Sequence, residues 1–310
     1  MTRPKTGQIC KNHCWSYWGE AIVPWLPRLL LAAAALASAA APIAHAEPRS
    51  ADVCARAAFR VIIDVGHTAR VPGATSARGI PEFVFNLSLA ERVEEQLLAA
   101  GFRRSVLLVT EGPARKSLMK RVERANVLAA DLFFSIHHDS VPDKLLEKWE
   151  FEGEQRGFSD RFKGHSIFIS DDNSDRTGSL LFARMLGDQL QKRGLQYTPH
   201  YTQSIMGHRQ RILIDAQAGV YRYDQLVVLR NAAMPAVLLE AGSIINREEE
   251  LRMSSAEHQA LISGAVVDAV ESFCVARRMR TALNAASRGG EETGQAPSSA
   301  ATPVKMRKQR

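Results

Sequence analysis

Apolar positions from residue 60 onward follow two alternating periods. Arg60-Val-Ile-Ile-Asp-Val65 is a short β-branched run that stops at Gly66, the pattern of a buried strand. Residues 67–81 contain Pro72, Gly73, Gly79 and Pro81 and read as a loop. Glu82 to Ala100 then carries Leu87, Ala90, Val93 and Leu97 at helical spacing and stops at Gly101. The same alternation continues. Strands are expected over Ser105–Val109, Leu132–Ile136, Ser166–Ser170 and Ala236–Leu239. Helices are expected over Lys116–Ala130, Ser179–Arg193 and Arg247–Cys274, while Leu226–Leu229 is apolar but too short to assign. Strands alternating with helices imply an α/β fold: a single domain with a central, mostly parallel twisted sheet flanked by helices on both faces.

Two stretches interrupt the alternation. Residues 141–165 are charged and irregular, with room for a short helix over Lys144 to Trp149, and read as an insertion. Residues 195–219 form a second long connection; long loops inside compact domains tend to be functional or disordered. The main domain is therefore expected over 60–276, after a short lead over 47–59. From 277 to 310 the chain is Ala, Ser, Gly, Pro and charge, ending in Lys305-Met-Arg-Lys-Gln-Arg310, which reads as a disordered basic tail.

Residues 1–46 read as a targeting segment. Arg3, Lys5, Lys11 and Arg28 precede an Ala-rich apolar run from Leu29 to Ala41, and Ala44-His45-Ala46 offers small residues on either side of His45. This is the pattern of a secretory signal cleaved before Glu47. A retained N-terminal anchor is the alternative, but the apolar run is short for a membrane span, and none is expected in the mature chain. The chain is thus expected to be exported, to a periplasm or beyond the cell.

Charge adds one exclusion. The formal net charge is +7, yet residues 1–46 carry four Lys/Arg against one Glu and residues 281–310 five against two, so the body between them is close to neutral. A nucleic-acid partner would call for a basic stripe on the domain itself. Of four cysteines, Cys10 and Cys14 leave with the signal. Cys54 and Cys274 remain at the two ends of the domain. In an oxidising compartment they either form a disulfide or stay as separate buried thiols.

Open α/β sheets gather their sites beyond the carboxyl ends of the strands. His67 lies just past the first strand, His137 just past Leu132–Ile136, and Glu240 closes Ala236–Leu239; Glu82 opens the helix after the first strand. All four fall on one rim although they are far apart in sequence. Two histidines and one carboxylate around an open position make a catalytic zinc site. A further carboxylate is then needed to move the proton of a metal-bound water. Singly, each residue has a plainer reading: a turn histidine, a glutamate at a helix start, an ion-pair partner at a strand end.

The coincidence resembles a known family, the zinc-dependent N-acetylmuramoyl-L-alanine amidases often called amidase type 3. Val61-Ile-Ile-Asp-Val-Gly-His67 resembles its first metal motif. Gly79-Ile-Pro-Glu82, followed by Asn86-Leu-Ser-Leu-Ala90, resembles its second. Arg121-Val-Glu-Arg-Ala-Asn126 with Ser135-Ile-His137, and Met234-Pro-Ala-Val-Leu-Leu-Glu240-Ala-Gly-Ser-Ile-Ile-Asn246, resemble the remaining two. The resemblance runs from about 60 to 274. It implies Zn2+ held by His67, Glu82 and His137, with Glu240 as the catalytic acid/base. It also implies hydrolysis of the amide between N-acetylmuramic acid and L-alanine in peptidoglycan or muropeptides. The rivals are a zinc hydrolase acting on another amide and a wall-binding protein with a dead site; the second would lack one of these four residues.

Three departures stand out: His138 follows His137 where the family has a small residue, Ser243 replaces a Phe, and Glu111 replaces an Arg. His138 is expected to be a surface histidine rather than a group supporting the metal ligands. Some family members carry a segment after the second histidine that covers the site until a partner removes it. By resemblance, 141–165 is either such a lid, acted on by an activator protein, or a loop that shapes the substrate site.

Overall fold

A computed structural model describes residues 54–292, with side chains up to 283. The signal expected over 1–46, the start of the lead, and the tail beyond 292 lie outside the described residues.

Nine strands and six α-helices follow one another as β1 (Val61–Val65), α1 (Glu82–Ala99), β2 (Val106–Leu108), α2 (Ala114–Val127), β3 (Leu132–Asp139), β4 (Glu147–Phe151), β5 (Glu154–Phe158), β6 (Ser166–Ile169), α3 (Arg176–Lys192), β7 (Ile212–Asp215), β8 (Val220–Arg222), α4 (Val227–Asn231), β9 (Ala236–Ser243), α5 (Glu249–Met253) and α6 (Ala256–Glu292) among the described residues. Seven strands form one sheet in the order β2-β1-β3-β9-β6-β8-β7. β2, β1, β3 and β9 run parallel, β6 lies antiparallel to β9, β8 parallel to β6, and β7 antiparallel to β8. This is the α/β architecture expected from the alternation.

Both faces are covered, which is why β1 and β6 are apolar at nearly every position. On one face, Leu89, Val93 and Leu97 of α1, Phe182 and Leu186 of α3, and Val266, Val270 and Phe273 of α6 pack on Val61, Ile63, Phe134 and Leu239. On the other, Val122 and Ala125 of α2, Leu229 of α4 and the rings of Tyr201 and Tyr221 pack on Ile62, Phe133, Phe168 and Leu238. Cys54 and Cys274 form a disulfide with Cα atoms 5.4 Å apart, which ties the start of the domain to α6.

Four expectations change. Residues 147–158 form a two-stranded hairpin, not a helix. Its turn, Glu152-Gly153, holds positive φ at both positions (51° and 79°), as a tight two-residue hairpin requires. The connection 195–219 contains β7 and the approach to β8, both short strands at the sheet margin. The last helix is interrupted: α5 ends at Met253, and α6 restarts after Ser255, whose hydroxyl accepts the His258 amide at 3.2 Å. Finally, α6 does not stop near 276 but continues to Glu292. Its continuation is rich in Ala, Arg, Leu and Met, strong helix formers, and Arg277 and Arg280 reach Asp175 at 3.6 and 3.9 Å.

Candidate metal centre and active site

Parallel pairing of β1, β3 and β9 brings their C-terminal ends to one rim. His67 follows β1, and His137 pairs with Glu240 in register across β3 and β9. Residues paired in adjacent strands share a face of the sheet, so His137 and Glu240 point the same way. The ladder then slips between His137 and Asp139, where β9 carries an extra residue. Bulges of this kind turn side chains at a strand end.

His67, Glu82 and His137 converge, with one ligand atom from each lying within 4.8 Å of the others. Glu82 lies between the two rings: Oε2 is 3.0 Å from His67 Nε2, and Oε1 is 3.0 Å from His137 Nδ1. The imidazole centroids are 4.9 Å apart and nearly edge to face. Two imidazole nitrogens and one carboxylate oxygen match the borderline N/O donors of a divalent ion of the zinc kind. The side chains of His67 and His137 remain 29% and 17% exposed, so the centre is open to solvent.

The space is kept by glycine. A Cβ on Gly66 would lie 2.6 Å from the His137 ring, and one on Gly73 would lie 2.4 Å from Glu82 Oε2 and 2.7 Å from the His67 ring. Gly73 also needs its φ of +83°.

The backbone behind the centre is strained and tightly held. His67 adopts φ 66°, rare for a residue with a side chain. Arg121, fully buried, donates to the His67 carbonyl, to Thr110 Oγ1 (2.9 Å) and to Asp64 Oδ2 (3.3 Å). Asn86 donates to the Gly66 carbonyl and to Glu82 Oε1, both at 3.2 Å. Asp64 is buried within β1, and desolvation raises its carboxyl pKa despite the Arg121 charge and the Ser135 hydroxyl at 2.7 Å. For Glu82, burial pushes the carboxyl up. Hydrogen bonds from His137 and His67, together with their charge, outweigh it and hold the group well below the usual carboxylate range.

Glu240 behaves in the opposite way. Burial, then the charges of Asp139 and Glu82, push its carboxyl well above the usual range, against the pull of Arg209. No protein donor reaches its buried Oε2 among the described residues. Asp139 beside it is engaged through one oxygen: Oδ1 accepts from Tyr201 Oη (2.7 Å), while Oδ2, 3.2 Å from His200 Nε2, makes no hydrogen bond among the described residues.

All four residues expected on the rim are thus there. His138 is not the surface group expected of it. Strand alternation turns it to the α1 face, where it is buried, with Nδ1 2.8 Å from Asn86 Oδ1 and its ring on Phe85. Burial lowers its pKa to about 3. Through Asn86 it supports Glu82. Arg121 and Asn86 stood inside recognisable motifs and Asp64 is an acid within an apolar strand, so each left a trace in the sequence. Asp139, Tyr201 and Arg209 left none.

The insertion packs beside the centre. Trp149 Nε1 donates to the Ala77 carbonyl at 3.0 Å, and the Arg156 guanidinium fills the space over Gly79. Arg78 and Arg247 stack on Trp149, with Arg247 also over Phe158.

The sequence and fold resemble those of known proteins. The family model described as N-acetylmuramoyl-L-alanine amidase matches residues 61–272. An N-acetylmuramoyl-L-alanine amidase of Mycobacterium tuberculosis is 25% identical over 202 residues, 65% of this chain and 72% of the relative. AmiA of Escherichia coli, of the same description, is 27% identical over 226 residues, 69% of this chain and 75% of the relative. Among solved structures, the amidase Ami1 of Mycobacterium smegmatis superposes with a TM-score of 0.54 at 22% identity, covering 70% of this chain and 97% of its own.

Proposed function

Given that the chain belongs to the N-acetylmuramoyl-L-alanine amidase family, we propose that it hydrolyses its amide with a zinc ion held by His67, Glu82 and His137, and with Glu240 carrying the proton. We propose further that it works outside the cytoplasm, after loss of residues 1–46, on peptidoglycan or its fragments. The disulfide between Cys54 and Cys274 supports an oxidising location.

The carrying observation is that three ligand atoms meet within 4.8 Å while Glu240 stands in register beside one of them. Bound there, zinc would polarise the scissile carbonyl and acidify a water. The chain's own residues do the rest. Glu82, held ionised between the two imidazoles, keeps both rings turned inward. Arg121 and Asn86 hold the turn that presents His67. Glu240 is a half-buried carboxyl with raised proton affinity and an oxygen that no protein donor reaches, suited to take a proton from water and deliver it to the departing nitrogen. Glu240 thereby meets the second requirement of the chemistry, a carboxylate that is not itself a ligand.

The hairpin β4–β5 reads as a wall of the site rather than a removable cover, because it is anchored at Ala77 and Gly79 and both histidines stay accessible.

Zinc content and digestion of purified peptidoglycan, measured on wild type and Glu240→Gln, test the proposal. The variant should keep about one zinc per chain and lose hydrolysis by a factor of ~100 or more, the scale of a lost general acid/base. A wild type that binds no zinc, or a variant that retains full turnover, overturns it.

A further inference from the structure

On the β6 side of Glu240, opposite its neighbour His137 in sheet order, lies a cavity of about 440 Å³. Its floor is apolar, formed by Phe168 and Leu238; its walls carry Arg209, Arg211 and His208, and Glu240 is the single acid lining it. We propose that this cavity is a subsite for a free carboxylate on the peptide side of the scissile amide, bound by Arg209 with Arg211 beside it. The inference rests on the amidase reading above and names the part of the substrate that the site selects.

Direction comes first. A group that hands its proton to the leaving nitrogen must face the fragment that bears the nitrogen, which is the peptide. Glu240 borders the cavity, so the peptide extends into it, while the acyl side lies toward His67 and His137. Charge comes second. Arg209 engages the protein only through Nη2, at 3.4 Å to Asp139 Oδ1 and 3.5 Å to Tyr201 Oη, both long for a guanidinium. Its Nε and Nη1 have no protein acceptor among the described residues, and the side chain stays 31% exposed. Arg211 stacks 3.6 Å from the Tyr223 ring centroid and spends Nη1 on the His208 and Gln210 carbonyls. Its Nε is shut away from solvent, so Nη2, with no protein acceptor among the described residues, is the donor it can offer a ligand. Two guanidinium groups, oriented by stacking and by a buried acid, with donors left over, form a carboxylate receptor. Stem peptides offer such a group close to the cut: the second residue, a γ-linked D-glutamate, carries a free α-carboxylate that some cell walls convert to an amide.

Two synthetic substrates separate the outcomes: muramoyl-L-alanyl-D-glutamate and its D-isoglutamine counterpart, which differ only in that carboxylate. With zinc-loaded full chain, wild type should favour the acid in kcat/KM by roughly ten-fold or more, chiefly through KM, as expected for a charge-assisted pair. Arg209→Met, and separately Arg211→Met, should bring the ratio toward one. Titration calorimetry with the released peptides, L-alanyl-D-glutamate against L-alanyl-D-isoglutamine, should show the same selectivity and the same loss. Equal turnover of both substrates by wild type overturns the subsite and leaves the amidase reading intact. Selective, Arg209-dependent binding of the acid peptide without hydrolysis of either substrate keeps the subsite and overturns the reaction. A ratio unchanged in both folded variants refutes the assignment to these arginines.

Discussion

Replacing Arg121 by Met should damage both the fold and the metal centre, and the two effects can be separated. The guanidinium is buried and has three partners: the Asp64 carboxylate, the Thr110 hydroxyl and the His67 carbonyl. Met fills much of the volume but leaves Asp64, with no exposed surface, without its counter-charge. Breaking a buried pair from one side costs about 3–5 kcal/mol, which for a domain of this size lowers the melting temperature by roughly 10 °C. The second substitution, Asp64→Asn, removes the stranded charge while leaving an oxygen for the Ser135 hydroxyl. The double variant should therefore regain on the order of 1–3 kcal/mol over the single one. Zinc affinity should not recover with it. His67 keeps a φ of 66°, a strained conformation that the Arg121 donor helps hold. Losing that support should weaken zinc binding by about ten-fold or more in both variants, the usual scale for groups that orient a ligand. Urea unfolding of the oxidised, metal-free chain reads the first effect, and competition with a chromophoric chelator reads the second. A double variant no more stable than Arg121→Met, or one that recovers zinc affinity along with stability, would refute the reasoning.

Other parts of the molecule give three further expectations. The Cys54–Cys274 bridge closes a separation of 220 residues. Replacing both cysteines by Ser should lower stability by about 2–4 kcal/mol, below the roughly 5 kcal/mol set by loop entropy alone; matching urea midpoints for oxidised and Ser-substituted chains would contradict this. Burial lowers the His165 ring to a pKa of about 4 from an ordinary 6.5. An unfolded ring then takes its proton first as the medium acidifies, so the contribution is whole above pH 6.5 and lost as pH falls toward 4. His165→Gln should accordingly lose less stability than wild type between pH 7 and pH 4.5, and parallel pH profiles would count against it. Replacing 147–158 by a short Gly-Ser link should lower both zinc retention and hydrolysis, because Trp149 and Arg156 support the turn at Ala77–Gly79 that leads into Glu82. Raised hydrolysis would instead mark the segment as a cover.

The rim was legible because a parallel sheet converts four distant strand and helix boundaries into neighbours. Val61–Val65 and Ala236–Leu239 are apolar enough to be recognised as strands, and the residues just past their ends are then placed without knowledge of contacts. Side-chain direction was harder. In a strand buried on both faces, as β3 is, no alternation of polarity tells His137 from His138; the Ser135-Ile-His137 motif picked the first, and its register against Glu240 agrees. The hairpin was hidden for a different reason. Trp149 and Phe158 are covered by arginines brought from residues 78 and 247 rather than by aliphatic side chains. Its strands therefore have the composition of a charged loop, and Glu-Gly is a weaker turn signal than Asn-Gly. The disulfide was one of two open outcomes, because spacing alone does not say whether the end of a lead meets the middle of a helix.

The role proposed for Glu240 in proton transfer also draws on the acids that surround it. Glu82, Asp139 and Glu240 are near enough that the charges of the first two act on the third. Glu82 lies 3.0 Å from each of two imidazoles and accepts from the Asn86 amide. Asp139 accepts from Tyr201 and Arg209 through Oδ1, while its Oδ2 makes no hydrogen bond among the described residues. Glu240 has the attraction of Arg209 but no donor on its buried Oε2, and it bears the charges of both neighbours. Burial and those charges raise its proton affinity, as a group that delivers a proton to a departing nitrogen requires. In this proposal the proton carrier is set by what surrounds each acid, not by its residue type, which is the same in Glu82 and Glu240.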